Sequence, residues 1–230
     1  MSVRLTEAPL IRALPLFKKM SDASFGRMME ASLLQRYPAR ADIIREGDMP
    51  DFLYIVIEGA IDLFATRNGE ESTIDILYPV STFILAAVMR DEPYLKSART
   101  LVPSQLLMVP SQTVRDTFSC DSAFAGGIVS ELAARYRSVT RVLRNDRMLS
   151  SAERLANWIL TSARRSGSNE FELPLEKRKL ASYLGMTPES YSRGMTTLEQ
   201  HGVRSHGATI TVTDPARLKE FARPALGEDD

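Results

Sequence analysis

Residues 175–201, LEKRKLASYLGMTPESYSRGMTTLEQH, constrain the fold more than any other stretch, because they read as two short helices joined by a tight turn. Leu180, Ala181 and Leu184 place apolar side chains at i, i+1 and i+4, which makes one buried face. Gly185 stands where a sharply turning chain needs a residue without a Cβ. Thr187-Pro188-Glu189 then marks a helix start: a hydroxyl for the N-cap, proline at the first helical position and a carboxylate in the first turn. Met195 and Leu198 continue the apolar face. The other side offers Glu189, Ser192 and Arg193, with Thr187 and Ser190 at the N-terminal turn. Arg, Ser and Glu presented from the first turns of a short helix suit the reading of base edges in a major groove. An ordinary helical hairpin with a solvated polar face is the alternative.

Composition decides what else is open. With 230 residues, 44% of them hydrophobic, the chain can bury substantial cores in one or two domains. The 29 basic and 29 acidic residues cancel, so any basic surface is local. The densest basic run is residues 135–147, where five arginines face only Asp146. One cysteine, Cys120, excludes a disulfide framework and any four-cysteine zinc or iron–sulfur site. A lone cysteine of this kind is expected to be a small buried hydrophobe. No apolar run is long enough to span a bilayer, and the N-terminus lacks a signal-peptide pattern, so a cytoplasmic protein without a membrane partner is expected. No metal-ligand cluster, nucleophile–base set or phosphate-binding glycine loop stands out, which argues against an enzyme.

In chain order, residues 6–35 read as helical and amphipathic, from Ile11, Leu14 and Phe17 on to Phe25, Met28 and Leu33. Residues 37–110 alternate short apolar runs with turn signals; Asn68-Gly69 is a strong hairpin signal, and the pattern predicts a small antiparallel barrel or roll. A long helix follows, capped by Asp121 or Ser122. Its Ala125, Ile128, Leu132, Val139 and Val142 fit alternating steps of three and four, with Tyr136 and Leu143 widening the stripe. Such a stripe makes a parallel dimer seam, packs on its own barrel, or does both along different parts. A break at residues 145–151 leads to a helix over 151–165, a short strand at 171–173, the helical pair, and a two-stranded wing at 202–213 turning at His206-Gly207. The end from Ala225 is expected to fray.

The order of a β-roll, a long helix and a winged helix-turn-helix resembles the transcription regulators of the cyclic-AMP receptor protein and fumarate–nitrate regulator (Crp–Fnr) family, an α+β fold. In the roll the resemblance rests on Ile44…Glu46-Gly47-Asp48, Leu53-Tyr54-Ile55-Val56…Glu58-Gly59 and Ile61…Leu63-Phe64. In the last third it rests on Leu180-Ala181…Leu184-Gly185-Met186, Glu189…Ser192-Arg193, Leu198-Glu199 and Ser205-His206-Gly207…Ile210. It implies a cyclic-nucleotide-binding-like sensor domain over 1–120, a dimerisation helix over 121–149 and a DNA-binding domain over 150–230. Ile128, Leu132, Val139 and Val142 are then the homodimer interface. Glu189 and Arg193 match the base-reading positions of the family. Ser192 matches the serine of the fumarate–nitrate branch, which implies TTGA-type palindromes on double-stranded DNA and RNA polymerase as a partner. A winged helix that binds protein instead of DNA is the competing function.

The resemblance also implies a small-molecule effector in the roll, with Phe83, Leu85, Ala86, Lys96 and Ser97 lining its pocket. Cyclic-nucleotide binders of the family carry a Gly-Glu pair and then an Arg-Ser or Arg-Thr pair. Here Leu85-Ala86 and Lys96-Ser97 take those places, so cyclic AMP is not expected. Residues 83–89 read either as a lined apolar pocket or as ordinary barrel core. A ligand there is expected to touch the start of the long helix near residues 120–128. One cysteine cannot hold the iron–sulfur cluster of the oxygen-sensing branch. Haem stays open as a cofactor, with Cys120 or a Met as its axial ligand, because His201 and His206 both lie in the DNA-binding part. The segment from Leu85 to Leu101 is similar to that of nitric-oxide-responsive denitrification regulators in the same family.

Overall fold

The structure, a computed structural model, describes residues 8–223. It divides into two compact units between Val139 and Thr140. The first unit contains helices α1 (Ala8–Arg12) and α2 (Asp22–Ala31), strands β1 (Leu33–Tyr37), β2 (Asp42–Ile44), β3 (Phe52–Glu58), β4 (Ile61–Arg67), β5 (Glu70–Leu77) and β6 (Ser81–Phe83), the short helix α3 (Leu85–Arg90), then β7 (Ser97–Thr100), β8 (Ser104–Pro110) and α4 (Ser111–Cys120). Helix α5 (Ser122–Met148) begins in the first unit and ends in the second. The second unit continues with α6 (Ser151–Ser166), β9 (Glu170–Glu172), α7 (Lys177–Tyr183), α8 (Pro188–Glu199), β10 (Val203–His206), β11 (Thr209–Val212) and α9 (Pro215–Ala222).

The roll is two four-stranded antiparallel sheets, ordered β1-β8-β3-β6 and β2-β7-β4-β5. Asn68 and Gly69 both take positive φ, at 53° and 80°, and close the β4–β5 hairpin on the pair Arg67↔Glu70. Strand β3 is buried on both faces, so its apolar run is nearly continuous, and the alternation of its side chains decides which core each one joins. Leu53, Ile55 and Ile57 join Leu107 and Val109 in a core shared with the helices, where Phe17 stacks on Phe124 at 6.1 Å. Tyr54 and Val56 point into the roll with Leu63, Leu106 and Met108, and Tyr54 stacks on Phe83 at 5.2 Å.

The entry to α5 is held tightly. Asp121 caps it, accepting from Phe124 N at 2.9 Å, and its other oxygen accepts from Ser21 N at 3.0 Å and Ser21 Oγ at 2.8 Å. These donors hold the Asp121 carboxyl well below the usual carboxylate range. The tie is therefore complete at neutral pH and is lost only as pH falls through that lowered value. At Gly127 an added Cβ would stand 2.7 Å from the Leu16 carbonyl oxygen, so only glycine lets the helix approach the N-terminal segment this closely.

That approach overturns part of the expected dimer seam. Ile128 is 1% exposed and lies in the helix-side core with Phe17 and Phe124, so it belongs to its own chain. Leu132 is half-buried against the same core, while Val139 and Val142 are exposed. Other expectations also change. Residues 8–35 form two helices and the start of β1, because Pro15 lies between α1 and α2 and Leu33 already pairs with Met108. Residues 85–90 are helical and Cys120 is exposed, while α5 ends at Met148, within one residue of the expected 121–149 span. The segment from Ala225 lies outside the described residues.

In the second unit β10, β11 and β9 form one small sheet, and the wing turns at Gly207 with φ 61°. Helix α6 opens with a capping box: Ser150 Oγ accepts from Glu153 N, and the Glu153 carboxylate accepts from Ser150 N at 2.7 Å. Helix α9, for which sequence reading made no assignment, starts on the Asp214 cap with Pro215 at its first position.

Candidate effector cavity and nucleic-acid interface

The first unit contains a cavity of about 430 Å³ between the roll and α5. Of the residues the sequence reading assigns to an effector pocket, Phe83, Leu85, Ala86 and Lys96 line this cavity. Ser97 does not; its Oγ accepts from Glu46 N at 3.0 Å and fixes the loop after β2. The helical wall is Glu131, Leu132, Arg135, Ser138 and Val139, about three turns beyond the expected 120–128, because Phe124 and Ile128 are committed to the other core. Ile84 precedes α3 in the left-handed region at φ 60°, a strained place for a β-branched residue. It is held there by packing against both cores of the first unit.

Most polar groups on the wall already have partners. Thr82 Oγ1 donates to Glu131 Oε1 at 2.8 Å, and Arg135 donates to the Thr82 carbonyl oxygen at 2.8 Å. The Arg135 guanidinium also lies 3.5 Å from Asp75 and 3.6 Å from Glu131. Arg90 pairs with Glu92 at 2.6 Å. Burial lowers the pKa of Lys96, with Asp75 acting in the opposite direction and Arg135 in the same one. Burial likewise pushes the Tyr94 phenol up to about 12, so it stays neutral. Sequence reading missed Arg135 and Glu131 as wall residues. In the sequence Arg135 stands out only as the first arginine of the basic run 135–147.

The second unit presents α8. Thr187 caps it, accepting from Ser190 N at 3.2 Å. Tyr191, Gly194, Met195 and Leu198 are buried at steps of three, one and three, which turns Glu189, Ser192 and Arg193 to the exposed face. Arg193 Nη2 donates to Ser190 Oγ at 3.3 Å, and Ser190 is half-buried. The Glu189 pKa is lowered, first by its own backbone N–H at the helix start and then by the Thr187 hydroxyl, so it is a carboxylate at neutral pH. Lys177 and Arg178 are exposed at the start of α7. The Gly185 turn has φ 63°. Arg154, on α6, clamps it by donating to the carbonyls of Leu184 at 3.0 Å, Gly185 at 3.1 Å and Leu149 at 3.0 Å. Nothing in the local pattern around Arg154 signals that role, since its acceptors Leu184 and Gly185 are about thirty residues away in sequence. His201 stacks on Phe221 at 4.2 Å, and His206 is exposed in the wing.

A family model described as a cyclic nucleotide-binding domain matches residues 34–120, and one described as a Crp-like helix-turn-helix domain matches residues 153–221. The chain belongs to the Crp–Fnr family. The transcriptional activator protein FnrA of Stutzerimonas stutzeri is 24% identical over 197 residues, covering 80% of this chain and 78% of FnrA. The cyclic AMP receptor protein of Thermus thermophilus is 25% identical over 210 residues, covering 90% of this chain and 96% of that protein. The structure of FixK2 from Bradyrhizobium japonicum matches with a TM-score of 0.75 at 20% identity, over 85% of this chain and 99% of FixK2. This Crp–Fnr protein is thus a DNA-binding transcription regulator with a cyclic-nucleotide-binding-like roll, a long helix and a helix-turn-helix. Among the described residues no helix is long and apolar enough to cross a membrane, and no group of three or more His, Cys, Asp or Glu is placed to hold a metal ion.

Proposed function

We propose that the protein works as a homodimer on TTGA-type palindromes, recruits RNA polymerase there, and is gated by a small molecule other than cyclic AMP in the roll cavity. The observation that carries this is the α8 face, where Glu189, Ser192 and Arg193 stand exposed while Tyr191, Gly194, Met195 and Leu198 hold the helix down. Arginine is bidentate to guanine, and glutamate accepts from a cytosine or adenine amino group. Arg193→Ala is expected to cost about 1–3 kcal/mol on a TTGA palindrome and to relax preference at the guanine. Competition binding on duplexes substituted at each position measures both. Equal weakening on cognate and random DNA would reduce α8 to a phosphate binder. A steep dependence of affinity on salt separates this reading from a protein-binding winged helix.

The cavity argues against a cyclic nucleotide. Ala86 offers no acceptor to a ribose hydroxyl, and the wall carboxylates Glu92 and Glu131 are engaged by Arg90 and by Thr82 and Arg135. A buried hydroxyl without a partner costs roughly 1–3 kcal/mol, and Lys96 lacks the bidentate fork of arginine. Calorimetry is expected to find no micromolar binding of cyclic AMP to the native chain, and tighter binding once Ala86→Glu and Lys96→Arg are combined. A micromolar dissociation constant for the native chain would overturn the reading. Haem draws no support from the cavity wall, whose residues include no His, Cys or Met. Leu132 and Val139 belong both to that wall and to the outer stripe of α5, so an occupant that prefers one helix arrangement can shift the pairing of two chains.

A further inference from the structure

We infer that the roll cavity takes an amphipathic monoanion, an aliphatic or aryl carboxylate whose head pairs with Lys96 and whose hydrocarbon body lies against Phe83, Leu85 and Leu132. The inference rests on the reading of this cavity as the effector site and adds the chemical class of the effector. Three cations line the cavity. Arg90 is paired with Glu92, and Arg135 is held between Asp75, Glu131 and the Thr82 carbonyl. Lys96 is different. It is half-buried, and among the described residues it makes no hydrogen bond or ion pair, meeting Asp75 and Arg135 only through space. Holding an ammonium away from water without a partner is unfavourable, and an incoming carboxylate removes that penalty.

The rest of the wall sets the other terms. Leu63, Leu77, Phe83, Leu85 and Leu132 make it predominantly apolar, so the body of the ligand must be hydrocarbon. Asp75, Glu92 and Glu131 also line it, so a second negative charge on the ligand would meet carboxylates instead of free cations. One charge is therefore favoured over two, which excludes phosphate monoesters and dicarboxylates. The head lies beside Arg135, whose guanidinium joins α5 to Asp75 of β5 and to Thr82 of β6. A carboxylate there competes with Asp75 for Arg135, which connects occupancy to the helix.

The test is calorimetric titration of the full chain with decanoate, 4-phenylbutyrate and decan-1-ol, below their aggregation concentrations. At least one acid is expected to bind ten times more tightly than the alcohol. Lys96→Met is expected to weaken that acid tenfold or more while leaving the alcohol within twofold, and Lys96→Arg is expected to restore the acid. Unchanged melting of Lys96→Met, followed by circular dichroism, keeps a folding defect from mimicking the result. If the alcohol matches the acids, or Lys96→Met leaves the acids unchanged, the charge assignment falls and the cavity remains an apolar effector site. If neither acid nor alcohol binds, both this inference and the effector reading of the cavity fall.

Discussion

Val139→Asp is expected to leave the chain monomeric at micromolar concentration and to lower its affinity for a TTGA palindrome by a hundredfold or more. In the single chain α5 exposes Val129 at 61%, Tyr136 at 75%, Val139 at 66% and Leu143 at 52%. With half-buried Leu132 between the first two, these residues follow steps of three, four, three and four, the spacing of a two-stranded seam. An apolar stripe of this length facing water calls for a partner, and a parallel copy of the same helix matches its period. An aspartate at its centre would face a second aspartate across the dyad, with both desolvated. Losing the second chain converts a two-site contact into a one-site contact, a loss of about two to four powers of ten in affinity. Sedimentation equilibrium reads the mass against 25.7 kDa for one chain, and gel-shift titration reads the affinity. A Val139→Asp dimer with unchanged affinity would place the interface elsewhere. Ile128→Asp makes the contrast: it should unfold the first unit, because Ile128 lies in that unit's own core.

Arg99→Ala is expected to destabilise the first unit by about 3–5 kcal/mol, because it leaves a buried carboxylate unpaired. Asp62 is completely buried on β4, directly opposite Arg99 of β7 in register. Arg99 donates to Asp62 Oδ2 through Nε at 3.2 Å and Nη2 at 3.1 Å, and to Glu71 through Nη1 at 3.0 Å. Its guanidinium also lies 4.1 Å from the centroid of the Phe64 ring. Asp62 Oδ1 has no partner among the described residues, so the pair is already under-satisfied and cannot absorb the loss of its cation. Combining Arg99→Met with Asp62→Leu should recover most of the loss, since an apolar pair needs no desolvated charge. Urea unfolding separates the two units by probe: Trp158 fluorescence reports the second, and far-ultraviolet circular dichroism reports both. Arg99→Ala should move the dichroism transition and leave that of Trp158 in place. A shift under about 1 kcal/mol would mean that solvent reaches Asp62.

What the sequence determined by itself was encoded within a few residues. Asn68-Gly69 specifies its hairpin because both residues tolerate positive φ, and Gly185 with Thr187-Pro188 specifies the turn and cap of the helical pair. The exposed polar face of α8 was legible for the same reason, since helical period places Glu189, Ser192 and Arg193 together as soon as the helix start is known. Only the tertiary structure decided which face of α5 is spoken for. Ile128 and Val129 are adjacent apolar residues that fit a heptad equally well, and the close approach of Gly127 to Leu16 is what turns Ile128 inward and Val129 out. Part of the cavity wall was hidden in the same way. Lys96 and Ser97 are neighbours, yet one faces the cavity and the other binds the loop after β2, because Ser97 is fixed by the pairing of β7 with β4 while Lys96 lies just before the strand. Asp62 and Arg99 meet through that same pairing. Thirty-seven residues separate them, and no local pattern marks a contact that only the strand register creates.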